Sequence, residues 1–312
     1  MQTAQEISTF DGPAGTIALS RDQSLPAQRT LASDLYELTK PRMNFLVVIT
    51  TMVGYYMAVS SRSDWAKLVF TLVGTAMTAA GSSVFNQYME RGYDALMRRT
   101  SDRPLPSGRI KPPHAMLFGL ALSICGVGLL AAFVNVLTAT LGAATLLLYI
   151  AVYTPAKRYT SLCTIVGAVP GAIPPMMGIT AVRGAITMDA LALFAILFVW
   201  QMPHFLAIAI LYRDDYARGG FRMLPVVDDS MRMTGRQIVL YSIALIPVSL
   251  MPTLIGMDGL RYGVSALILG AGFLAFGLRC ARSRERADAR KLFLASIIYL
   301  PVLLIVLMID KI

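Results

Sequence analysis

Residues 66–104 read AKLVFTLVGTAMTAAGSSVFNQYMERGYDALMRRTSDRP. Residues 66–89 are apolar, and at about 1.5 Å per residue they are long enough to cross roughly 30 Å of hydrocarbon as one helix. The rest of the stretch is charged. Asn86, Glu90, Asp94, Arg98 and Asp102 recur every four residues, a spacing that stacks them along one slowly turning helix face, with Asn86 and Asp94 about 12 Å apart. Pro104 and the following Pro106-Ser107-Gly108 end the element. An apolar span that delivers carboxylates at its mouth belongs in a membrane.

Composition agrees. The 312 residues are 56% hydrophobic and 15% charged, with mean hydropathy +0.61, whereas a soluble domain carries about 25% charge. Further apolar stretches fall at 41–60, 113–134, 137–153, 162–182, 190–212, 238–255, 262–278 and 292–309. None shows the alternation of a barrel strand. The expected fold is all-α and polytopic, with nine transmembrane helices over residues 39–312 and a flexible cytoplasmic tail over residues 1–38, where apolar periodicity is missing. No cleavable signal is expected. Glu6, Asp11 and Asp22 beside Arg21 and Arg29 do not suit an organellar transit peptide, so the expected location is a bacterial inner membrane.

The net charge is +10, from 28 Lys and Arg against 18 Asp and Glu. On the nine-span reading only Arg62, Lys67, Arg183, Arg261 and Lys311 fall on one side, and the other 23 of the 28 fall on the opposite side. The positive-inside rule then puts the N-terminus in the cytoplasm and the C-terminus outside. The basic cluster from Arg279 to Lys291 has no acidic motif beside it and reads as an orientation signal that contacts anionic lipid. Cys125, Cys163 and Cys280 have no ligand spacing and read as small core residues.

A carboxylate near the inner end of an apolar span is costly unless it faces a watery cavity or a cation. Oxygen donors in this arrangement suit Mg²⁺, which binds through a few carboxylates and completes its shell with water and phosphate oxygens. The guanidinium groups of Arg98, Arg99 and Arg103 suit a diphosphate. Two more loops on the cytoplasmic side add to it, the cations of Tyr153-Thr-Pro-Ala-Lys157-Arg158 and the acids and cation of Tyr212-Arg213-Asp214-Asp215-Tyr216. The competing reading is a solvated amphipathic helix end whose acids pair with nearby Arg. Within residues 190–212, Trp200-Gln201-Met-Pro203-His204-Phe205 places Gln201 and His204 three residues apart on one face of a span. A polar side chain there is a candidate for function, and an interhelical hydrogen bond is the alternative. His114, at an interfacial helix start, reads as structural.

These motifs resemble the UbiA-type intramembrane prenyltransferases. The resemblance is carried first by Asn86-x3-Glu90-x3-Asp94 with Arg99-Thr-Ser-Asp-Arg103-Pro-Leu. Tyr153-Thr-x-x-Lys157-Arg158-x-Thr160, Gly171-Ala-Ile-Pro174-Pro175-x-x-Gly178, Trp200-Gln-x-Pro203-His204-Phe205 and Asp215-Tyr216-x-x-Gly219-Gly-x-x-Met223-Leu224-Pro225 look like the branch that farnesylates heme. The resemblance implies nine helices around a lipid-open lateral cavity, with farnesyl diphosphate as donor and heme b as acceptor substrate. Farnesyl would join a heme vinyl group, water would add, and diphosphate would leave. It also implies Mg²⁺ on Asn86, Glu90, Asp94 and Asp215, and diphosphate on Arg98, Arg99, Arg103, Lys157, Arg158 and Arg213. His204 would orient heme as an iron ligand, and Tyr153 would stabilise positive charge through its ring.

Two departures stand out. Glu90 replaces the family's usual Asp, and Gly92 stands where a further Asp is common, which does not fix how many metals bind. The partners expected are the two substrates, the bilayer and, as a downstream candidate, heme A synthase; no nucleic acid is expected. A prenyltransferase of a quinone precursor or other aromatic acceptor is the nearest alternative. A transporter is remote, because no internal repeat is evident and the later spans lack charge at their centres.

Overall fold

The structure is a computed structural model that describes residue 30 to residue 60 and residue 64 to residue 312. Of the tail expected over residues 1–38, residues 1–29, with Arg21 and Arg29, lie outside the described residues, as does Arg62 of the opposite face. Among the described residues thirteen α-helices follow one another: α1 (Leu31–Leu38), α2 (Pro41–Ala58), α3 (Trp65–Asp94), α4 (Pro112–Phe133), α5 (Val136–Leu147), α6 (Thr154–Tyr159), α7 (Cys163–Arg183), α8 (Met188–Leu211), α9 (Arg213–Arg218), α10 (Leu224–Val227), α11 (Arg232–Leu254), α12 (Leu260–Ser283) and α13 (Arg286–Ile309). A π-helical stretch, Leu148–Tyr153, joins α5 to α6. There is no strand among the described residues, only a single bridge between Asp258 and Lys311. The all-α expectation holds.

The helices start where the sequence provides for the orphan amides of a first turn. Asp64 accepts from Lys67 N at 2.9 Å and Asn135 from Thr138 N at 2.8 Å, while Pro41 and Pro112 need no partner there. Gly184, at φ 67°, turns the chain out of α7 in the left-handed region that suits glycine.

Eight helices among the described residues are long and apolar enough to cross a membrane. The first expected span, α2, is not among them. It has 18 residues, about 27 Å by helix rise, and Arg42 and Asn44 in its first turn lower its hydropathy. Several helices outrun their apolar stretches. Helix α3 continues to Asp94, so Glu90 and Asp94 project from regular helix, and α11 and α13 begin at Arg232 and Arg286. The last eight residues of the segment expected as tail form α1, which buries Asp34 and Leu38. Arg109 fastens α1 to the loop after α3, reaching Asp34 at 2.9 Å, Glu37 at 3.4 Å and Asp102 at 3.2 Å.

Small residues and interhelical hydrogen bonds hold the bundle, as expected where lipid gives no hydrophobic drive to helix pairing. Gly54 and Gly178 bring α2 and α7 so close that a Cβ at either would meet the partner's backbone, at Pro175 O and Thr51 O. Thr138 and Thr180 link α5 to α7 at 3.0 Å, Trp200 Nε1 donates to Ser296 O at 3.0 Å between α8 and α13, and Ser249 meets Tyr299 Oη at 2.8 Å between α11 and α13. Helices α7 and α8 are the most enclosed. Helix α7 runs through Pro170, Pro174 and Pro175, with most of its residues buried.

Cys163 and Cys280 are buried, as expected, but Cys125 is exposed. Helix α4 buries only the face of Ala115, Gly119, Ser123, Gly126 and Leu130, and Cys125 lies off that stripe. His114 is exposed in the first turn of α4.

At the end of the bundle remote from the acidic stripe, Asp310 accepts from Tyr262 N at 2.8 Å, and Lys311 Nζ donates to Tyr56 O at 2.7 Å and to Val59 O. Asp258, between α11 and α12, is buried there with neither carboxylate oxygen hydrogen-bonded among the described residues.

Candidate functional site

The stripe on α3 is buried and meets cations from other elements. Asn86, Glu90 and Asp94 all lie on one helix face and are each nearly inaccessible. Lys157 Nζ donates to Glu90 Oε1 at 2.8 Å, Arg103 Nη1 to Asp94 Oδ2 at 2.8 Å, and Lys40 Nζ to Asn86 Oδ1 at 2.8 Å. These contacts draw in the loop after α3 and the segment after α5, together with the α1–α2 corner, which the sequence did not point to.

Each segment is shaped for this. The π-helical stretch before α6 adds a residue to the turn, a distortion common at functional sites. Thr154, at its end, donates to Tyr149 O at 2.8 Å and receives Asn86 Nδ2 at 3.2 Å. The Tyr149 and Tyr153 rings then lie 5.1 Å apart, and Lys157 Nζ sits 4.5 Å from the Tyr153 ring centroid. Gly167 of α7 makes room, since a Cβ there would collide with the Tyr153 ring. Behind these groups, Met97, Cys163, Phe221 and Met223 form a buried apolar floor with Tyr93, Tyr153 and Tyr216 packed on it.

The third loop docks through backbone. Arg98 N donates to Asp215 Oδ1 at 3.3 Å, and Arg222 N donates to Lys157 O at 2.7 Å. Asp215 is also paired with Arg218. It therefore ties α9 to the end of α3 and makes no hydrogen bond to Asn86, Glu90 or Asp94. The side chain of Arg98 is exposed, and Arg99 stacks over Tyr212 at 4.6 Å and Tyr216 at 5.5 Å. Arg158 lies over the Tyr93 ring at 3.9 Å and donates to Met89 O at 3.3 Å. Arg213 pairs with Asp229 at 3.0 Å, away from the stripe.

Lys40 is the residue that sequence reasoning missed, having counted it only as a topological charge. It precedes Pro41 yet adopts φ 49°, ψ 59°, a left-handed conformation that costs a non-glycine residue about 1–3 kcal/mol. Burial, with the Arg103 and Lys157 cations close by, pulls its ammonium down to about 7. Three basic groups thus crowd two carboxylates, an arrangement that attracts an anion. The only sequence signal was a lysine directly before the proline that starts a span on the same face as the stripe.

The buried polar atoms without a hydrogen-bond partner among the described residues include two beside the stripe, Asp94 Oδ1 and Arg158 Nε. One is suited to a cation and the other to an anion. Among the described residues no three His, Cys, Asp or Glu side chains gather tightly enough to hold a metal by themselves. The donor set of Asn86, Glu90 and Asp94 still fits Mg²⁺, because that ion takes few protein oxygens and fills its shell with water and phosphate oxygens.

On α8, Gln201 and His204 do not act on one face as expected. Gln201 Nε2 donates to Ala168 O at 3.3 Å and Leu197 O at 3.1 Å, over Gly171 of α7. His204 turns to α13, with Nδ1 at 2.7 Å from Ser296 Oγ. Residues three apart sit about 60° apart around a helix, and α8, packed on both sides, sends them to different neighbours.

Residues 47–300 match the UbiA prenyltransferase family. The chain is 47% identical over 287 residues to a protoheme IX farnesyltransferase of Solibacter usitatus, covering 89% of this chain and 98% of that one. It is 43% identical over 296 residues to a protoheme IX farnesyltransferase of Myxococcus xanthus, with 94% and 98% covered. Among solved structures, one of a digeranylgeranylglyceryl phosphate synthase superposes with TM-score 0.74 at 18% identity, over 89% of this chain and 98% of that one. A UbiA homolog from Archaeoglobus fulgidus bound to DMAPP and Mg²⁺ superposes with TM-score 0.64 at 16% identity, over 88% and 99%. These two structures share the fold.

Proposed function

This chain belongs to the UbiA prenyltransferase family, and on that premise we propose that it transfers the farnesyl group of farnesyl diphosphate to a vinyl side chain of protoheme IX. It is a multi-pass membrane prenyltransferase. The observation that carries the donor half is the buried stripe of Asn86, Glu90 and Asp94 met by Lys40, Arg103 and Lys157. The acceptor half is supported by relatives named for protoheme IX that cover nearly the whole chain.

In this reading α2 joins the eight apolar helices as the first of nine spans around a lipid-open cavity, with the stripe on the cytoplasmic side and the C-terminus outside. Residues 39–312 form the catalytic domain, to which Arg109 fastens α1 through Asp34. Asn86, Glu90 and Asp94 would hold Mg²⁺, which when bound would neutralise charge on the departing diphosphate. Lys40, Lys157, Arg103 and Arg158 bind diphosphate oxygens. Arg98, Arg99 and Arg213 stand further out, placed to meet the anion as it enters or leaves. Asp215 acts by closing the α9 loop over the site. Diphosphate departs with the electron pair of the allylic C–O bond, and the heme vinyl group attacks the allylic carbon. Water adds its hydroxyl to the resulting cation and releases a proton. The rings of Tyr149 and Tyr153 present electron-rich faces to positive charge, and the apolar walls exclude competing water. Heme A synthase is a fitting consumer of the product.

The test is acceptor choice. Purified protein given radiolabelled farnesyl diphosphate, Mg²⁺, heme b and a phenolic quinone precursor together should place label on heme; label on the phenol would overturn the heme assignment.

A further inference from the structure

The hydrogen bond between His204 and Ser296 has a direction fixed by its surroundings. His204 Nδ1 on α8 lies 2.7 Å from Ser296 Oγ on α13, and that Oγ lies 2.6 Å from Phe293 O. A serine hydroxyl carries one proton, and a carbonyl oxygen only accepts. The Ser296 proton is therefore directed to Phe293 O, and Oγ is left to accept from the ring. Nδ1 of His204 carries the proton, and in the neutral ring Nε2 keeps its lone pair. Among the described residues Nε2 has no hydrogen-bond partner.

The ring is held from other directions as well. It stacks on Trp200 with centroids 4.7 Å apart and planes at 21°, meets Phe293 at 5.2 Å, and takes Phe205 edge-on at 5.5 Å. Ser296 is fully buried and is itself anchored, because Trp200 Nε1 donates to its carbonyl oxygen at 3.0 Å. Trp200, His204 and Ser296 thus lock one another across the α8–α13 contact.

We propose that Ser296 is the positioning residue for His204: it fixes the Nδ1–H tautomer and leaves Nε2 as the one ring atom able to accept the iron of heme b. A hydrogen bond from the distal ring nitrogen to a fixed oxygen is how metal-binding histidines are generally oriented, and it raises their basicity. The inference rests on the heme-acceptor reading above, but its first half concerns the protein without heme.

The chain has two histidines, so ¹⁵N-histidine labelling of a His114→Gln variant reports His204 alone. In heme-free protein at mildly alkaline pH, nitrogen NMR should show Nδ1 protonated and Nε2 with a free lone pair. The opposite pattern overturns the proposal whatever heme does. Ser296→Ala should populate the other tautomer and weaken ferric heme binding by about 10–100-fold, with a changed Soret band. An unchanged tautomer and unchanged titration in Ser296→Ala also overturn it. If the tautomer is as stated but His204→Ala binds heme with wild-type affinity and spectrum, the iron-facing half of the proposal falls, and the failure lies in the heme-ligand reading rather than in the Ser296 contact.

Discussion

Lys157 Nζ and Glu90 Oε1 meet at 2.8 Å across 67 residues of chain, both side chains largely enclosed. Removing one member of an enclosed pair leaves the other charge uncompensated, at about 3–5 kcal/mol. Lys157→Met should therefore lower the unfolding temperature in detergent and abolish turnover. Adding Glu90→Gln should restore much of the stability and none of the activity. Full stability in Lys157→Met alone would show that the pair is not buried as described.

Asp94 divides its work between Arg103 on Oδ2 and an unpartnered, buried Oδ1. Asp94→Asn retains the shape and removes the charge, so the Mg²⁺ concentration for half-maximal activity should rise. Asp94→Ala should lower kcat by about 10²–10³, the scale seen when a preorganised charge-stabilising group is lost. Protein yield in the membrane should stay normal. Unaltered Mg²⁺ dependence in Asp94→Asn would remove the residue from the metal site.

Gly178 faces Thr51 O and Gly54 faces Pro175 O across the α2–α7 contact. Backbone cannot step aside as a flexible side chain can, so Gly178→Ala should cost about 1–3 kcal/mol through overpacking. Thermal unfolding in detergent reads the loss. Gly92→Ala, where an added Cβ meets nothing within 4 Å, is the matched control and should be neutral.

Burial, with Asp310 and then Asp189 nearby and Lys311 opposing, raises the Asp258 carboxyl to about 7. The folded protein then holds a proton that the unfolded chain releases at ordinary carboxylate pH. Stability from this group is present at low pH and declines as pH rises towards 7. Asp258→Asn should flatten that decline and stabilise the protein most at pH 8. A variant less stable than wild type at pH 8 would show that the ionised carboxylate has a partner.

The acidic stripe and its loops were legible because four-residue spacing on a helix is a local signal, and α3 runs regularly to Asp94. The contributions of other elements were less so. Lys40 reaches Asn86 only through a left-handed corner before Pro41, which propensity disfavours. The divergence of Gln201 and His204 depends on which helices flank α8, and Arg213 meets Asp229 because of how the loop after α10 folds back. Helix α1 was read as tail because eight residues are too few for periodicity to register, and what holds it is Arg109, about 70 residues away.

The most direct measurement is the mass of the heme recovered after purified protein is incubated with farnesyl diphosphate, Mg²⁺ and heme b. The account predicts a heme heavier by one farnesyl group and one hydroxyl, formed only when Mg²⁺ is present and about 10²–10³-fold more slowly with Asp94→Ala. Recovery of unmodified heme alone, from protein that still consumes farnesyl diphosphate, would contradict it.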